Sequence, residues 1–540
     1  MTIRHKVVRA RHLEPEHKCG GRRSHARKFP EDTDETDGRR SGALGERGIW
    51  RPHPLARARL KTPRAPADSV GMVSRLALAA VASIAALSAA GCGGAPGQVP
   101  ESASLAPADA VLFARVTTAS ESPQWTKAET VLERIPGVRD GIVSAIRQEL
   151  ASESLDWEDD IAPALGDEVV VVVTASLRPV VLLRPESTDK LVALLARSDD
   201  DLVRGEVGDH VALAERESDL GEYRAALERG TIEADEGFVA GLDALPDESL
   251  GLVWVDMSVL TKELTPLLEQ ATQGDPVDFG IEWLSAAVSA EENGMLVAIG
   301  ARVPGAGDTQ YEPELFGRVP ADAVAAFSFG GTQGTLDRVQ GRVDVDELSK
   351  TFEKLTGVSL DGVVEALSGE GVLYVRPGDS IPDVTLALAP PDPAETWSTV
   401  DRLARELAAQ AQAEVQTTIE NGVEVSVLEA EGVTIRYARL DPETIVVTTG
   451  DSALTLLTAG GPKLVDSDGY LRAAEELGLE GRTKGFLYVD VDGMLPMLER
   501  LAGESVPAEV REGFEAVDSI LFRASGDGDS TLVSGFVRVP

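Results

Sequence analysis

The chain carries its own outline twice. "PADAVLFARV" begins at Pro107 and "PADAVAAFSF" at Pro320, 213 positions later. "ALGDEVVVVV" at Ala164 is echoed by "ALSGEGVLYV" at Ala366. Residues 235–260 are echoed by residues 467–495, so that Phe238 answers to Tyr470, Gly251 to Gly485, Trp254 to Tyr488 and Asp256 to Asp490. "LVAIGARVP" closes at Pro304 and "LVSGFVRVP" at Pro540, where the offset has grown to 236. Four echoes in one order indicate an internal duplication. The expected units are residues 105–304 and 318–540, joined by "GAGDTQYEPELFG" at 305–317.

Within the first unit the pattern predicts a strand over 110–117 and helices over 125–134 and 138–152. "EVVVVVT" follows as a fully apolar strand, with "RPVVLLRP" as its hairpin partner. A helix over 188–197, a hairpin turning at Gly208-Asp209, the strand "LGLVWVDM" and two long closing strands joined at "EENG" complete it. Hairpins dominate the strand connections. The expected fold class is therefore α+β: two duplicated units, each a largely antiparallel sheet with helices packed on it. Trp254 and Tyr488 sit in strongly apolar strands and read as core.

Residues 1–71 differ from the rest. They hold 17 Lys+Arg against 9 Asp+Glu, five of the six histidines, and no helical or strand period. Such a segment cannot bury enough apolar surface to offset its ordering entropy, and it reads as a disordered basic leader ahead of a start at Met72. A short cationic opening at Arg75 and the 15-residue, largely apolar run 76–90 then resemble a signal peptide over 72–91. The apolar run falls short of the roughly 20 residues a membrane-crossing helix needs. "SAAGC" ends it, with small residues before Cys92 as in the lipobox of bacterial lipoproteins. Cys92 is the expected lipidation site, and 92–104 the expected tether. Cys19 lies in the leader, so no disulfide is expected in the mature part.

Setting the leader's +8 aside from the whole-chain −39 leaves −47 on residues 72–540. That charge repels nucleic acid and excludes it as a partner. The segments "LAPADAVLFARV", "ERIPGV", "DWEDDIAPALGDEVVVVV" and "LDALPDESLGLVWVDM" resemble the bacterial lipoprotein family known as domain of unknown function 3352. The resemblance implies an architecture and an envelope location facing the extracytoplasmic space. It implies no chemistry and carries over no functional residue.

Five features invite a chemical reading. "VVTTGDSALTLL" sets Ser452 after a strand, as in GDS-type esterases, but the nearest reading is a helix N-cap, as for Ser218-Asp219 in the first unit. The acidic run Asp156 to Asp160 opposes a helix dipole. "SGDGDS" at 525–530 has the composition of a hairpin turn. "GGTQGT" at 330–335 lacks the Lys-Ser/Thr of a phosphate loop. His210, the mature part's lone histidine, reads as an exposed hairpin residue. No zinc set, cofactor or catalytic group is expected. The function expected is that of a lipid-anchored envelope protein, non-catalytic, binding or scaffolding. Its partners are the membrane through Cys92 and either an envelope protein or an apolar ligand. A carrier of that ligand in a sheet–helix groove is the alternative, and a serine esterase using Ser452 the remote one.

Overall fold

A computed structural model describes residues 99–540 except 153, 198–200, 273–279, 332–345, 379–380, 431, 459–460, 480 and 504. Cys19, Cys92, the leader and the signal segment lie outside the described residues, as do residues 332–335 of the glycine-rich loop.

The fold is mixed helix and strand, built on one large antiparallel sheet with 14 α-helices among the described residues. The first eight strands are β1 Ala110–Thr117, β2 Glu168–Thr174, β3 Pro179–Leu183, β4 Val203–Val207, β5 His210–Ala214, β6 Gly251–Asp256, β7 Trp283–Glu291 and β8 Gly294–Arg302. The rest are β9 Ala325–Phe329, β10 Glu370–Arg376, β11 Asp383–Ala389, β12 Val415–Glu420, β13 Val423–Ala430, β14 Val433–Arg439, β15 Ile445–Thr448, β16 Gly485–Asp490, β17 Ser519–Ser525 and β18 Ser530–Arg538. Their spatial order is β4-β5-β3-β2-β1-β6-β7-β8, then β18-β17-β16-β9-β10-β11-β15-β14-β13-β12.

The two halves are thus not separate sheets. β8 and β18 pair antiparallel along their whole lengths, from Gly294 opposite Arg538 to Arg302 opposite Ser530. At Gly294 a Cβ would lie 2.1 Å from the Val537 carbonyl oxygen, so the seam closes only on glycine there.

Paired residues share a face, and one row can be followed across the sheet. Val288 lies opposite Val297, Val297 opposite Gly535, Gly535 opposite Phe522 and Phe522 opposite Leu487. Leu487 lies opposite Phe327, Phe327 opposite Leu373, and Leu373 opposite Leu386. In the first half both faces are covered. Tyr223 and Phe238, on helices Glu217–Leu227 and Glu236–Asp243, close over Phe113 and Trp254 on one side. Leu191 and Leu260, on helices Thr188–Leu195 and Met257–Thr272, close over Val171 and Val253 on the other. In the second half one face holds a core of Tyr374, Tyr470, Tyr488 and Phe536. The other, which continues the row above, is only partly covered.

Registers in the two halves correspond. Leu112 faces Val255 where Ala325 faces Val489, and Ala114 faces Val171 where Phe327 faces Leu373. Ser285 faces Gly300 where Leu521 faces Phe536. The second half adds a hairpin, β12–β13, outside β14, where the first half ends at β4.

Glu101–Leu105, which overlaps the end of the expected tether 92–104, forms a helical turn that buries Ser102 and Ala103, and Tyr223 donates to the Leu105 carbonyl at 2.5 Å. In the expected join 305–317, Leu315 and Phe316 are buried in the second half's core, and Tyr311 forms an antiparallel bridge with Thr483. Their apolar side chains find more burial on the sheet than in solvent.

Candidate functional site

The partly covered face is built by alternation. β9 reads Ala-Ala-Phe-Ser-Phe, and the strand period sends Ala326 and Ser328 into the core and Phe327 and Phe329 to the opposite side. Phe327 is 43% exposed, Leu373 38%, Val384 39% and Val533 38%, all on that side. The two phenylalanine rings stack 5.7 Å apart. Glycines beneath the rings let them lie flat: a Cβ on Gly371 would meet Phe329 at 2.2 Å, and one on Gly535 would meet Phe522 at 2.0 Å. The result is a flat apolar surface of aromatic and branched side chains, open to solvent. Patches of this kind on soluble proteins mark contact sites. Helices Val491–Ala502 and Ala508–Glu515 also expose Leu501 and Phe514.

Ser452 lies on the other side of the sheet, beside Arg376. It directly precedes helix Ala453–Thr458, and its hydroxyl accepts from Arg376 Nη1 at 3.2 Å. Arg376, 7% exposed, also donates from Nε to Asp322 at 2.7 Å and from Nη2 to the same carboxylate at 2.5 Å. That bond holds the Asp322 carboxyl below its ordinary range. A guanidinium donates and cannot take a proton, so this neighbour supplies no general base. In the first unit Asp219 is taken by Arg216 Nε at 3.1 Å, and no side chain caps that helix.

His210 is buried, 5% exposed, and not at the surface as expected. β5 is flanked by β3 and β4, so a side chain beside the turn is still enclosed. Its Nδ1 lies 2.7 Å from Asp209 Oδ1 and its Nε2 is 3.7 Å from Glu168 Oε1. The imidazole draws the Asp209 carboxyl downward. The acidic run behaves as its sequence implies: Asp156 accepts from the Glu158 and Asp159 N–H groups at 2.9 and 3.0 Å and starts a helical turn. Residues 525–530 form the β17–β18 turn, with Gly526 and Gly528 at φ +114° and +54°. Among the described residues no three His, Cys, Asp or Glu side chains form a metal-holding group. No described helix is long and apolar enough to cross a membrane. An open cleft of about 440 Å³ lies beside the start of helix Met257–Thr272, with Lys262 and Glu282 as its charged lining.

Glu370 carries a measurable consequence. Burial pushes its carboxyl up to about 7, against the Leu315 N–H that donates to Oε1 at 2.6 Å. A carboxyl raised above its unfolded value contributes stability below the unfolded value, near pH 4.3, and loses it as pH rises through about 7. Glu370→Gln keeps the acceptor and removes the charge. It is expected to raise stability at pH 8 by about 1 kcal/mol, discounted for partial exposure, and to be neutral at pH 4, read by thermal unfolding at both.

The apolar face was hidden in the sequence because both sides of β9–β11 read as apolar. Only the placement of the helices distinguishes them. No family model matches the chain, and no curated protein matches it. Among solved structures it is similar to crystal form IV of TP0453, at 10% identity over 43% of this chain and 93% of that one, with a TM-score of 0.22. Crystal form I of TP0453 matches at 13% identity over 41% and 77%, with a TM-score of 0.23.

Proposed function

We propose that this chain is a lipid-anchored protein of the bacterial envelope, related to the domain of unknown function 3352 lipoproteins, and that it works by binding and not by catalysis. In this reading Cys92 carries the lipid and the protein faces the extracytoplasmic space. The fold follows the anchor closely: Pro100 is already buried, so about eight residues, at most ~29 Å of extended chain, separate the two. The two units are copies of one ancestor, which the matching registers of β1–β6 with β9–β16 and of β7–β8 with β17–β18 support.

The observation that carries the binding reading is the open apolar face that exposes Phe327, Leu373, Val384 and Val533. An open surface suits the apolar face of an envelope protein, the scaffolding role, better than an enclosed carrier pocket would. The test has two arms. Metabolic labelling with alkyne-tagged palmitate should mark the expressed protein and leave Cys92→Ser unmarked; an unmarked wild type removes the anchor. Nile red should fluoresce on the purified protein and lose more than half its signal with Phe327→Ser/Leu373→Ser, while Leu407→Ser leaves it unchanged. No loss removes the binding face. Lipid co-extracted with the protein would turn the reading to a carrier, and fluorophosphonate labelling of Ser452 would overturn the non-catalytic one.

A further inference from the structure

We infer that the free edge of β12 is a self-association surface, on which a second copy of the chain pairs antiparallel about Thr417. This does not rest on the binding face or the anchor.

The two ends of the sheet are finished differently. At β4 the edge is blunted: Arg224 donates from Nε and Nη2 to the Glu206 carbonyl oxygen at 3.3 and 3.4 Å. Arg204 and Glu206 add charge to that strand. Natural edge strands are commonly protected in this way. On β12, among the described residues, no side chain is seen bonding the outward backbone groups, and the strand's one charge, Glu420, stands at its end. The strand belongs to the hairpin that extends the second half beyond the strand order shared with the first. Its central residues 416–419 are Gln-Thr-Thr-Ile, all exposed, with Ile419 at 76%.

The turn sets which groups are free. Asn421 and Gly422, at φ +53° and +85°, form a two-residue turn closed by Glu420 opposite Val423. The closing pair of such a hairpin is hydrogen-bonded. Glu420, Thr418 and Gln416 therefore direct their backbone groups to β13, and Val415, Thr417 and Ile419 direct theirs outward. An antiparallel copy centred on Thr417 sets Val415 against Ile419, Thr417 against Thr417, and Ile419 against Val415. Branched–branched and Thr–Thr pairs are favourable cross-strand partners. The opposing side is electrostatic: the chain carries −39, and this register sets Glu414 against Glu420. Arg436, 3.7 Å from Glu420, offsets part of that. The chain already joins two acidic halves edge to edge: the β8–β18 ladder runs antiparallel, with Ala298 opposite Ser534 at its centre. A second copy paired at β12 would extend the sheet in the same antiparallel way.

The test uses the purified full chain with Cys19→Ser and Cys92→Ser, so that no acyl group drives association and no native thiol reacts with the crosslinker. Sedimentation should show a dimer whose fraction rises with salt, because the remaining charge is screened over about 8 Å at physiological ionic strength. Thr417→Pro, which removes an outward N–H that β13 does not use, and Ile419→Lys should each weaken the dimer at least about tenfold. Circular dichroism should stay unchanged for both. A bismaleimide should crosslink Thr417→Cys to a covalent dimer and leave Arg204→Cys on β4 uncrosslinked. A monomer at every salt concentration, or a dimer indifferent to both β12 variants, overturns the inference.

Discussion

Trp254→Ala is expected to destabilise the protein by about 3–5 kcal/mol, the range for removing a large buried aromatic side chain. Trp254 is 3% exposed on β6. Its ring meets Phe238 edge-on at 5.4 Å, and Phe238 meets Phe113 in the same way at 5.4 Å. Helix Glu236–Asp243 approaches so closely that a Cβ on Gly241 would lie 2.7 Å from the indole. A cavity there cannot collapse without moving that helix off the sheet. Tyr488→Ala, at the matching register position of the second half, should behave alike: Tyr488 is 2% exposed and meets Tyr470 edge-on at 5.5 Å. Trp254→Phe should be milder than its lost volume implies, because the indole N–H has no hydrogen-bond partner among the described residues and removing an unsatisfied donor recovers part of the loss. Urea titration measures all three. An effect below about 1 kcal/mol for Trp254→Ala would refute this account of the first half's core.

Asp322→Ala should cost about 2 kcal/mol near neutral pH. The substitution leaves the buried Arg376 guanidinium without its two-pronged acceptor, and charge-assisted bonds of this kind contribute roughly 1.5–3 kcal/mol. The carboxylate is more than half exposed, at 57%, so solvent screening holds the effect in the lower part of that range. The pH dependence has a definite sign. A carboxyl held below its ordinary value contributes stability above the unfolded value, near 3.9, and loses it as pH falls through the folded one. The gap between wild type and Asp322→Ala should therefore stay constant from pH 5 to 8 and close in stronger acid. Ser452→Ala removes only one bond to the same guanidinium and should cost less than about 1 kcal/mol. A gap that persists undiminished at low pH would show that Asp322 acts by packing and not by charge.

Much of the first half was legible residue by residue. β1 and β2 occupy the stretches their apolar runs predict, the helix Val138–Ser152 has its expected ends, and the β4–β5 turn falls at Gly208-Asp209. These are local outcomes: strand and helix periods, and a turn that glycine at φ +59° permits. His210 was misread because alternation along one strand says nothing of how many strands flank it. The guanidinium partner of Ser452 was not legible because it lies 76 residues away in sequence. The open face was invisible for a related reason. Phe327 and Ala326 are equally apolar letters, and which of them meets water depends on helices contributed from elsewhere.

Sequence alone determined many of the elements and their antiparallel connections, because each follows from spacing within a short window. Only the tertiary structure decided that the halves share one sheet through β8 and β18, that one side of the second half stays open, and that β12 stands at the sheet's edge. Those outcomes depend on which edges and faces find partners at long range, and burial of surface, unlike periodicity, is settled only when the whole chain is in place.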